Sequence, residues 1–444
     1  GVSKNPHFDN NLTTTPQIFS SKPFQSFQIF NLRNQPSEMN QKIQSELQLS
    51  KRAEKGKIDM AFAALYEVLP DYALGKNRNP SAIKKAILAT SNLFTFEAKT
   101  RPLHYFAQKE ALQGYLLYFV PVNLNKIYRV LGEVLRHPSL RIEGGEIRIL
   151  DIGCGVTPSV LAFLELKRHG FFPKVCFDYT GVDMDSRALA VAQELLQTFV
   201  NPTEKIRYRF LKMDFRKEGN IMATSSIRPH FLTISNFLQE IVEQGVSLNY
   251  FIKSIATFFK ENVVAIFIEP GTKKASQTLH ALRDSLLQET EIAPYSPCLH
   301  RFLCPALKEA NWCYEEWSWE CPEYLSFLEP IGLQTRYLKF SYTVFTSWGY
   351  SLAETFSPHD EGPIIKSTSH LLREKRKSRL FGCSEGVLQD IEKLERDYTS
   401  DDPWLTINKG TYFTAEPLIP LGKKLRLLRE SKICVLYQPS FSLP

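Results

Sequence analysis

The sequence contains no uninterrupted apolar run close to the ~20 residues that a membrane-spanning helix requires. Its first 38 residues also lack the apolar core of a secretory signal. Eight cysteines in 444 residues are too few to form a disulfide scaffold. Together these absences favour a protein that is neither inserted in a membrane nor secreted, and whose thiols stay reduced.

Glycine is scarce between residues 39 and 140, and apolar side chains recur there with the period of a helix. Two amphipathic stretches, at residues 81–93 and 124–136, carry this signal, so we expect a helical N-terminal domain over residues 39–140. Residues 1–38 are rich in Ser, Thr, Asn and Gln and are expected to be extended or disordered. Met39 is a candidate translation start.

The pattern changes at Glu146, where buried strands begin to alternate with helices. Such alternation predicts an α/β fold with a Rossmann-like parallel sheet that helices cover on both faces. The predicted strands lie at 147–152, 175–182, 207–213, 231–235 and 263–268, and the predicted helices at 159–169, 187–199 and 274–289. We assign this domain to residues 141–345, and a small, basic, β-rich module to residues 346–444.

Small and acidic residues follow three of the predicted strands. Asp151, Gly153 and Gly155 stand where the first strand gives way to a helix, and glycines there allow a ligand to approach the backbone closely. Asp183 ends the second strand, where a carboxylate can accept both hydroxyls of a ribose. Asp214 ends the third strand and can receive an adenine amino group. The alternative is that Asp183 and Asp214 only cap the helices that follow.

This series resembles the class I S-adenosylmethionine-dependent methyltransferases, and the resemblance implies that cofactor. The family loop usually has a third glycine, where this chain has Val156-Thr157-Pro158, and the Cβ of Thr157 is expected to crowd the methionine part and weaken binding. After the fourth strand the chain has neither an Asn/Asp-Pro-Pro-aromatic sequence nor a Pro-Cys pair. No catalytic residue is therefore assigned, and enzymatic activity stays open.

Three cysteines, Cys298, Cys304 and Cys313, fall in one short stretch within an insertion at residues 294–322. Their spacing lacks the tight Cys-x2-Cys pairs of a zinc ribbon, and it suits an iron–sulfur cluster held by irregular loops. Cys321 and Cys383 are both candidates for a fourth ligand, and zinc stays open as the alternative metal. The nearby His300 is a further candidate base or ligand, although a lone histidine is more often structural.

More specific sequence surrounds this stretch: Glu269-Pro270-Gly271-Thr272 before it, Trp312-Cys313 within it, and Lys339-Phe340-Ser341-Tyr342 after it. Together these segments resemble the mitochondrial and bacterial ribosomal small-subunit methyltransferase-like family. That resemblance implies a [4Fe–4S] cluster bound by Cys298, Cys304, Cys313 and Cys383. It also implies a role in assembly of the small ribosomal subunit, in the mitochondrial matrix or the bacterial cytoplasm.

Basic residues cluster at 371–380 and 422–432, and such clusters can neutralise phosphates. With the resemblance, they predict small-subunit rRNA and small-subunit precursors as partners of a monomeric protein. A solvated charged loop is the plainer interpretation of either run. Two other functions remain: an active S-adenosylmethionine-dependent rRNA methyltransferase, and a zinc-stabilised methyltransferase-like protein with no role on RNA.

Overall fold

A computed structural model describes residues 62–75, 79–95, 105–137, 139–140, 145–217, 226–260, 262–319, 321–331, 333, 335–356 and 362–439. The segment predicted to be extended, residues 1–38, and the candidate start Met39 lie outside these residues. Within the described ranges, no helix is long and apolar enough to cross a membrane. These ranges all fall in one compact unit, so the predicted domain boundaries at residues 140 and 345 stay predictions.

The described part of the chain begins with the predicted helical region. Its helices are α1 (Ala63–Leu74), α2 (Pro80–Thr95), α3 (Lys109–Gly114) and α4 (Val120–Val134), and a π-helical turn, Tyr115–Phe119, joins α3 to α4. A proline in the first turn of α4 cannot donate a hydrogen bond to the preceding turn. The wider π turn accommodates this loss without ending the helix.

A mixed sheet forms the centre of the protein. Its strands are β1 (Glu146–Ile152), β2 (Cys176–Asp183), β3 (Ile206–Lys212), β4 (Phe231–Ser235), β5 (Val264–Pro270), β6 (Ala293–Ser296), β7 (Glu315–Ser318) and β8 (Tyr337–Thr346). The strand order is β3-β2-β1-β4-β5-β8-β6, with β7 paired to β8. Strands β1 to β5 run parallel, and β8 lies antiparallel between β5 and β6. The predicted α/β fold is confirmed.

Helices cover both faces of this sheet, because its central strands are apolar on both sides. Along β1, Ile147 and Ile149 pack into one apolar cluster, and Leu150 and Ile152 pack into another. The helices of this part are α5 (Pro158–Arg168), α6 (Ser186–Phe199), α7 (Leu238–Glu243), α8 (Leu248–Ala256), α9 (Lys273–Glu289) and α10 (Pro305–Lys308). Helices α4, α5 and α6 cover the first face, and α7, α8 and α9 cover the second.

The C-terminal module is a second sheet with its own apolar core around Leu380, Ile391, Trp404 and Phe413. Its strands are β9 (Ile365–Ser367), β10 (Leu372–Glu374), β11 (Lys377–Ser384), β12 (Val387–Leu394), β13 (Tyr412–Leu421) and β14 (Lys424–Tyr437). Strand β9 pairs with both β11 and β13, so five of the strands close into a ring. The predicted β-rich module is therefore present.

The buried carboxylate of Glu133 joins three parts of this structure. It lies on α4 and accepts hydrogen bonds from the hydroxyls of Tyr342 on β8, at 2.8 Å, and Tyr437 on β14, at 2.9 Å. Its backbone oxygen accepts a third, from the hydroxyl of Tyr295 on β6, at 2.6 Å. One residue therefore connects the helical region, the central sheet and the last strand of the C-terminal module.

Replacing Glu133 with Gln is expected to alter how stability depends on pH. Burial raises the pKa of Glu133 from 4.5 to about 7, so the folded state holds this proton more tightly than the unfolded chain does. The stability that Glu133 contributes is therefore lost as the pH rises through that interval. Glu133→Gln does not titrate and should gain about 2 kcal/mol over wild type between about pH 5 and pH 8, in urea unfolding. Glu67→Gln, at an exposed position, should follow the wild-type profile, and parallel profiles for all three proteins would contradict the prediction.

Candidate functional site

The carboxyl ends of β1 to β4 meet at one edge of the sheet, as parallel strands require, and the loops after them enclose a cavity of about 50 Å³. Gly153, Gly155, Asp183 and Asp214 all line it. Four of the five residues predicted to bind a cofactor are therefore brought together, although they are spread over some sixty residues of sequence.

The glycine loop adopts a conformation that other residues would disturb. Gly153 has a φ of 70°, and a Cβ placed on it would lie 2.4 Å from the ring of Phe237. Gly155 has a φ of 52°, and its N–H donates to Asp183 Oδ2 at 2.9 Å. Asp183 thus holds the loop in place across the edge of the sheet.

Asp183 is not the cap of the following helix, which was the alternative role. Asp185 caps α6, because its Oδ1 accepts the N–H groups of Arg187, at 2.8 Å, and Ala188, at 3.3 Å. Asp183 Oδ1 accepts the N–H of Asp185 at 2.9 Å, and desolvation raises the pKa of Asp183. Each carboxylate oxygen has two lone pairs, so Asp183 keeps acceptor capacity for a ligand in the cavity.

Asp151 does not line the cavity, and its position does not support the predicted contact with a cofactor. Its buried carboxylate accepts hydrogen bonds at 2.7 Å from Tyr179 and from Thr233. Burial raises its pKa to about 6. Asp151 lies on the face of β1 that packs against α5 and α6. Only Ile152 separates it from the glycine loop, which it supports from the core side.

Thr157 also lies beneath the loop. Its φ is 63°, its side chain is fully buried, and its hydroxyl is hydrogen-bonded to that of Tyr179 at 2.6 Å. Thr157 is not one of the residues that line the cavity. The expected crowding of the methionine part is therefore not supported, because the Cβ of Thr157 is directed into the core.

Asp214 lines the opposite side of the cavity and has a basic partner there. The guanidinium of Arg216 bonds both carboxylate oxygens, at 2.8 and 2.6 Å, and this contact holds the pKa of Asp214 below its ordinary value. The N–H of Arg216 also donates to Asp214 Oδ1 at 3.1 Å. The carboxylate is thus ionised and fixed in orientation at the edge of the cavity.

Aromatic residues form a wall that the sequence did not reveal. Tyr105, Phe106 and Tyr115 come from the helical region and close the cavity over the glycine loop. The π-helical turn that begins at Tyr115 directs this residue toward the site, and π turns often occur at functional sites. The proline shortly after that turn was the available signal, since a proline within a continuous helix requires an irregularity.

A larger cavity, of about 440 Å³, adjoins the first one. The two share Tyr105, Tyr115, Asn236 and Glu240 as lining residues. Asn236 follows β4 and has a φ of 53°, a left-handed conformation that asparagine tolerates. The second cavity has the size of a small-molecule site and opens beside the place where a cofactor would lie.

Three residues of the segment Glu269-Pro270-Gly271-Thr272 line the larger cavity: Glu269, Pro270 and Thr272. The buried carboxylate of Glu269 accepts the N–H groups of Phe237 and Leu238, at 3.0 and 2.8 Å, and so caps α7. Burial raises its pKa to about 7. Thr272 accepts the N–H of Ala275 at 3.4 Å and caps α9. The motif therefore positions the loop after β4 and the start of the next helix.

The cysteines form a second site beside β8. Cys298, Cys304, Cys313 and Cys383 all line one cavity of about 40 Å³. Cys321 does not line it and packs against the main apolar cluster instead. Three of these thiols come from the predicted insertion, and the fourth comes from β11 of the C-terminal module.

Buried polar groups hold the cysteine loop in shape. Arg283 on α9 is 1% exposed and donates to the backbone oxygen of Phe302 at 2.6 Å and to Asp284 at 2.5 Å. Asp284 in turn accepts the N–H of Cys304 at 3.0 Å. The N–H of Cys313 donates to His280 Nε2 at 3.0 Å. Two of the thiols are therefore positioned through their own backbone groups by side chains of α9.

Two basic side chains approach the sulfurs directly. Lys366 Nζ lies 3.6 Å from Cys313 Sγ and also pairs with Glu315. His300 Nε2 lies 3.4 Å from Cys383 Sγ, so the histidine singled out in the sequence is part of this cavity. Burial raises the pKa of Cys383, and that of Cys304 to about 12. These thiols stay protonated unless a metal binds them.

Comparisons with known proteins agree with the ribosomal assignment over part of the chain. A family model described as mitochondrial small ribosomal subunit Rsm22 matches residues 110–321. No curated protein matches the sequence. The part of the chain that the structure describes has no group of three or more His, Cys, Asp or Glu placed to hold a single metal ion.

Several solved structures of methyltransferases share elements of the fold. A plantazolicin methyltransferase is 10% identical, with 60% of this chain and 97% of that chain covered and a TM-score of 0.33. A class I S-adenosylmethionine-dependent methyltransferase from Listeria monocytogenes is 13% identical, with 64% and 87% covered and a TM-score of 0.31. The human methyltransferase 10 domain containing protein is 16% identical, with 51% and 83% covered and a TM-score of 0.30. The α/β fold of this chain is defined by its own strand order.

Alanine substitution at the two loop glycines should separate backbone strain from steric clash. Both positions have positive φ, but a Cβ at Gly155 has only the Tyr115 hydroxyl near it, at 3.9 Å. We expect Gly155→Ala to lower the free energy of unfolding by about 1 kcal/mol. Gly153→Ala should lower it by about 2–4 kcal/mol, because the contact with Phe237 adds overpacking. Urea unfolding measures both values, and equal losses would contradict the proposed clash.

Proposed function

We propose that the protein binds the small ribosomal subunit during its assembly, through a class I methyltransferase fold and a basic C-terminal module. The observation that carries this proposal is the match of residues 110–321 to a family of the mitochondrial small ribosomal subunit. The basic runs at 371–380 and 422–432 support rRNA as the partner, because they can neutralise phosphates. The corresponding location is the mitochondrial matrix.

The residues at the carboxyl edge of the sheet fit S-adenosylmethionine. Asp183 has acceptor capacity left for ribose hydroxyls, and Asp214 is an ionised acceptor suited to an adenine amino group. Gly155 leaves the loop backbone open to close approach, because only the Tyr115 hydroxyl lies within 4 Å of where its Cβ would be. Bound there, the cofactor would supply an activated methyl group, and the aromatic wall around Tyr115 would exclude water from it.

The cysteine cavity fits an iron–sulfur cluster of the [4Fe–4S] type, with Cys298, Cys304, Cys313 and Cys383 as ligands. Four thiolates on such a cluster leave a net negative charge, and Arg283 and Lys366 provide buried positive charge beside it. Within the described residues, Arg283 Nε and His300 Nδ1 are buried without a hydrogen-bond partner. Buried donors of this kind suit an acceptor-rich group in the cavity.

The number of bound metal ions distinguishes an iron–sulfur cluster from a single zinc ion. With Zn–S bonds of ~2.3 Å, a single tetrahedral zinc needs its sulfurs about 3.8 Å apart. A cuboidal cluster places one iron at each thiolate, and its ligands therefore stand farther apart. Counting the iron, sulfide and zinc bound to the protein therefore distinguishes the two.

A second candidate function is that of an active S-adenosylmethionine-dependent rRNA methyltransferase. The observation that favours it is the cavity of about 440 Å³ that shares Asn236 and Glu240 with the cofactor cavity. A cavity of this size, partly lined by aromatic rings, can admit a nucleobase that has left its stack. No side chain is assigned the role of base or nucleophile.

Cysteine substitutions test the cluster. After anaerobic purification the wild-type protein should be brown and contain iron and sulfide in near-equal amounts. Cys383→Ser should lose most of the visible absorbance and melt at a lower temperature, because cluster binding is coupled to folding. Cys321→Ser is the matched control and should keep both the colour and the melting temperature, since Cys321 lies outside the cavity. A colourless wild-type protein with stoichiometric zinc would refute the cluster.

Substitution of Asp183 tests the proposed function and distinguishes an assembly factor from an active rRNA methyltransferase. Asp183→Ala should weaken binding of S-adenosylhomocysteine at least ten-fold in calorimetry, and Glu67→Ala, at an exposed site, should not. In cells that lack the native protein, an assembly factor carrying Asp183→Ala should still restore small-subunit levels. An enzyme carrying this change should lose a mapped rRNA methyl group. Absence of the wild-type protein from small-subunit precursors in density gradients, with normal subunit levels after deletion, would overturn the proposal.

A further inference from the structure

The ring of strands in the C-terminal module has a recognisable topology. Numbered along the chain as five strands, β9, β11, β12, β13 and β14 close in the order 1-2-3-5-4-1. Strands three and five of this ring run parallel, and the other four pairs are antiparallel. A five-stranded Greek-key barrel of this kind is the OB-fold, which binds oligonucleotides on the face of its second and third strands.

We propose that this barrel binds single-stranded RNA across the outer face of β11, β12, β14 and β13. The inference deepens the proposed function and rests on it, since the RNA would be an unpaired segment of small-subunit rRNA. The face is defined by two rows of residues that the strand register places side by side. The first row consists of Phe381, Asp390, Lys424 and Leu421, and the second of Arg379, Glu392, Arg426 and Ile419.

An exposed aromatic ring stands at one end of the first row. Phe381 is 37% exposed, although its neighbours Leu380 and Gly382 are buried in the barrel. The guanidinium of Arg379 lies 5.3 Å from the centre of its ring. At the other end of the rows, Leu421 and Ile419 are exposed as well. A ring with an arginine beside it, on an open sheet, is the kind of surface on which unpaired bases stack.

The acidic residues on this face do not oppose an RNA strand, because basic neighbours pair with them. Asp390 pairs with Arg379 at 3.1 Å, and Glu392 pairs with Lys377 at 3.1 Å and with Arg426 at 2.5 Å. These ion pairs fix the positions of the basic side chains on the sheet. The acidic charges of the two rows are therefore neutralised, and the outer face is not a negatively charged surface.

Unpaired basic residues flank the face at both ends. Lys375 and Arg376 form the turn between β10 and β11, and Lys423 lies in the turn between β13 and β14. Among the described residues, none of the three makes an ion pair. Because β11 and β14 run in opposite directions, these turns stand at opposite ends of the face. They are the tips of the two basic runs seen in the sequence, and they can bind the phosphates of one strand that crosses between them.

The geometry favours a single strand over a duplex. A duplex hides the faces of its bases, so Phe381 and its apolar neighbours would contribute nothing to its binding. The face also continues into the cysteine cavity, because Cys383 follows Phe381 by two positions on the same side of β11. The metal site would therefore hold the RNA-binding face in a fixed position against the central sheet.

Fluorescence anisotropy with the full-length protein tests the proposal. The probes are a labelled single-stranded RNA of twelve mixed nucleotides and the same RNA as a duplex. Phe381→Ala should weaken binding of the single strand by about five- to one-hundred-fold, the loss of one stacked base. The combined change Lys375→Ala, Arg376→Ala and Lys423→Ala should reduce the slope of log affinity against log salt by about 2, as expected for three phosphates on a single strand.

Matched controls lie on the helical region. Val68→Ala removes an apolar side chain that is also 37% exposed, and Lys84→Ala with Lys85→Ala removes two exposed charges of α2. Both controls should bind the single strand as the wild type does, and all variants should melt as the wild type does. Equal affinity for duplex and single strand would overturn the inference, and so would unchanged binding by the barrel variants.

Two further outcomes distinguish this inference from the proposed function. If the wild-type protein binds purified small-subunit rRNA and Phe381→Ala binds it equally well, the proposal that the barrel face binds RNA is wrong. The proposed function would then still stand. If the wild-type protein binds no small-subunit rRNA, both fail. Loss of binding to a ribosomal protein by Phe381→Ala, with RNA binding intact, would assign the face to a protein partner and overturn the inference.

Discussion

A buried ion pair between Lys366 and Glu315 determines how the C-terminal barrel meets the central sheet. Lys366 lies on β9 and Glu315 on β7, and their side chains are only 4% and 3% exposed. Removing two charges from water is costly, so such a pair persists only with well-fixed partners, and loss of either one leaves an uncompensated charge. Lys366 also contacts Cys313. The same interaction thus fixes the barrel and sets the position of β11, which carries Cys383 into the cysteine cavity.

Elsewhere in the protein, buried carboxylates also hold separate elements together. Glu133 connects the helical region to β8 and β14, Glu269 caps the helix after β4, and Asp183 holds the glycine loop. Each one satisfies hydroxyl or backbone N–H groups that would otherwise be buried without a partner. The candidate cofactor site is in this way organised by the protein's own hydrogen bonds.

Much of the fold and part of the site could be predicted from the sequence, because their signals are local. The strands of the central sheet are short apolar runs, and Gly153, Gly155, Asp183 and Asp214 stand at the ends of those strands. The position of Asp151 on the core side of β1 could not be predicted, because a strand residue next to the loop can face either the cavity or the core, and only packing shows which. The strands between residues 365 and 394 were missed, because alternating basic side chains in them looked like a charged loop.

The sequence by itself determined that parallel strands end in a glycine loop and two carboxylates, and that three thiols lie in one insertion. Those features are set by residue type and by neighbours along the chain. Tertiary structure alone decided which distant groups complete each site: Tyr115 from the helical region over the glycine loop, and Cys383 from the barrel beside the other cysteines. It also closed five strands into a barrel, because strand order depends on pairing between residues far apart in the chain, which no local pattern encodes.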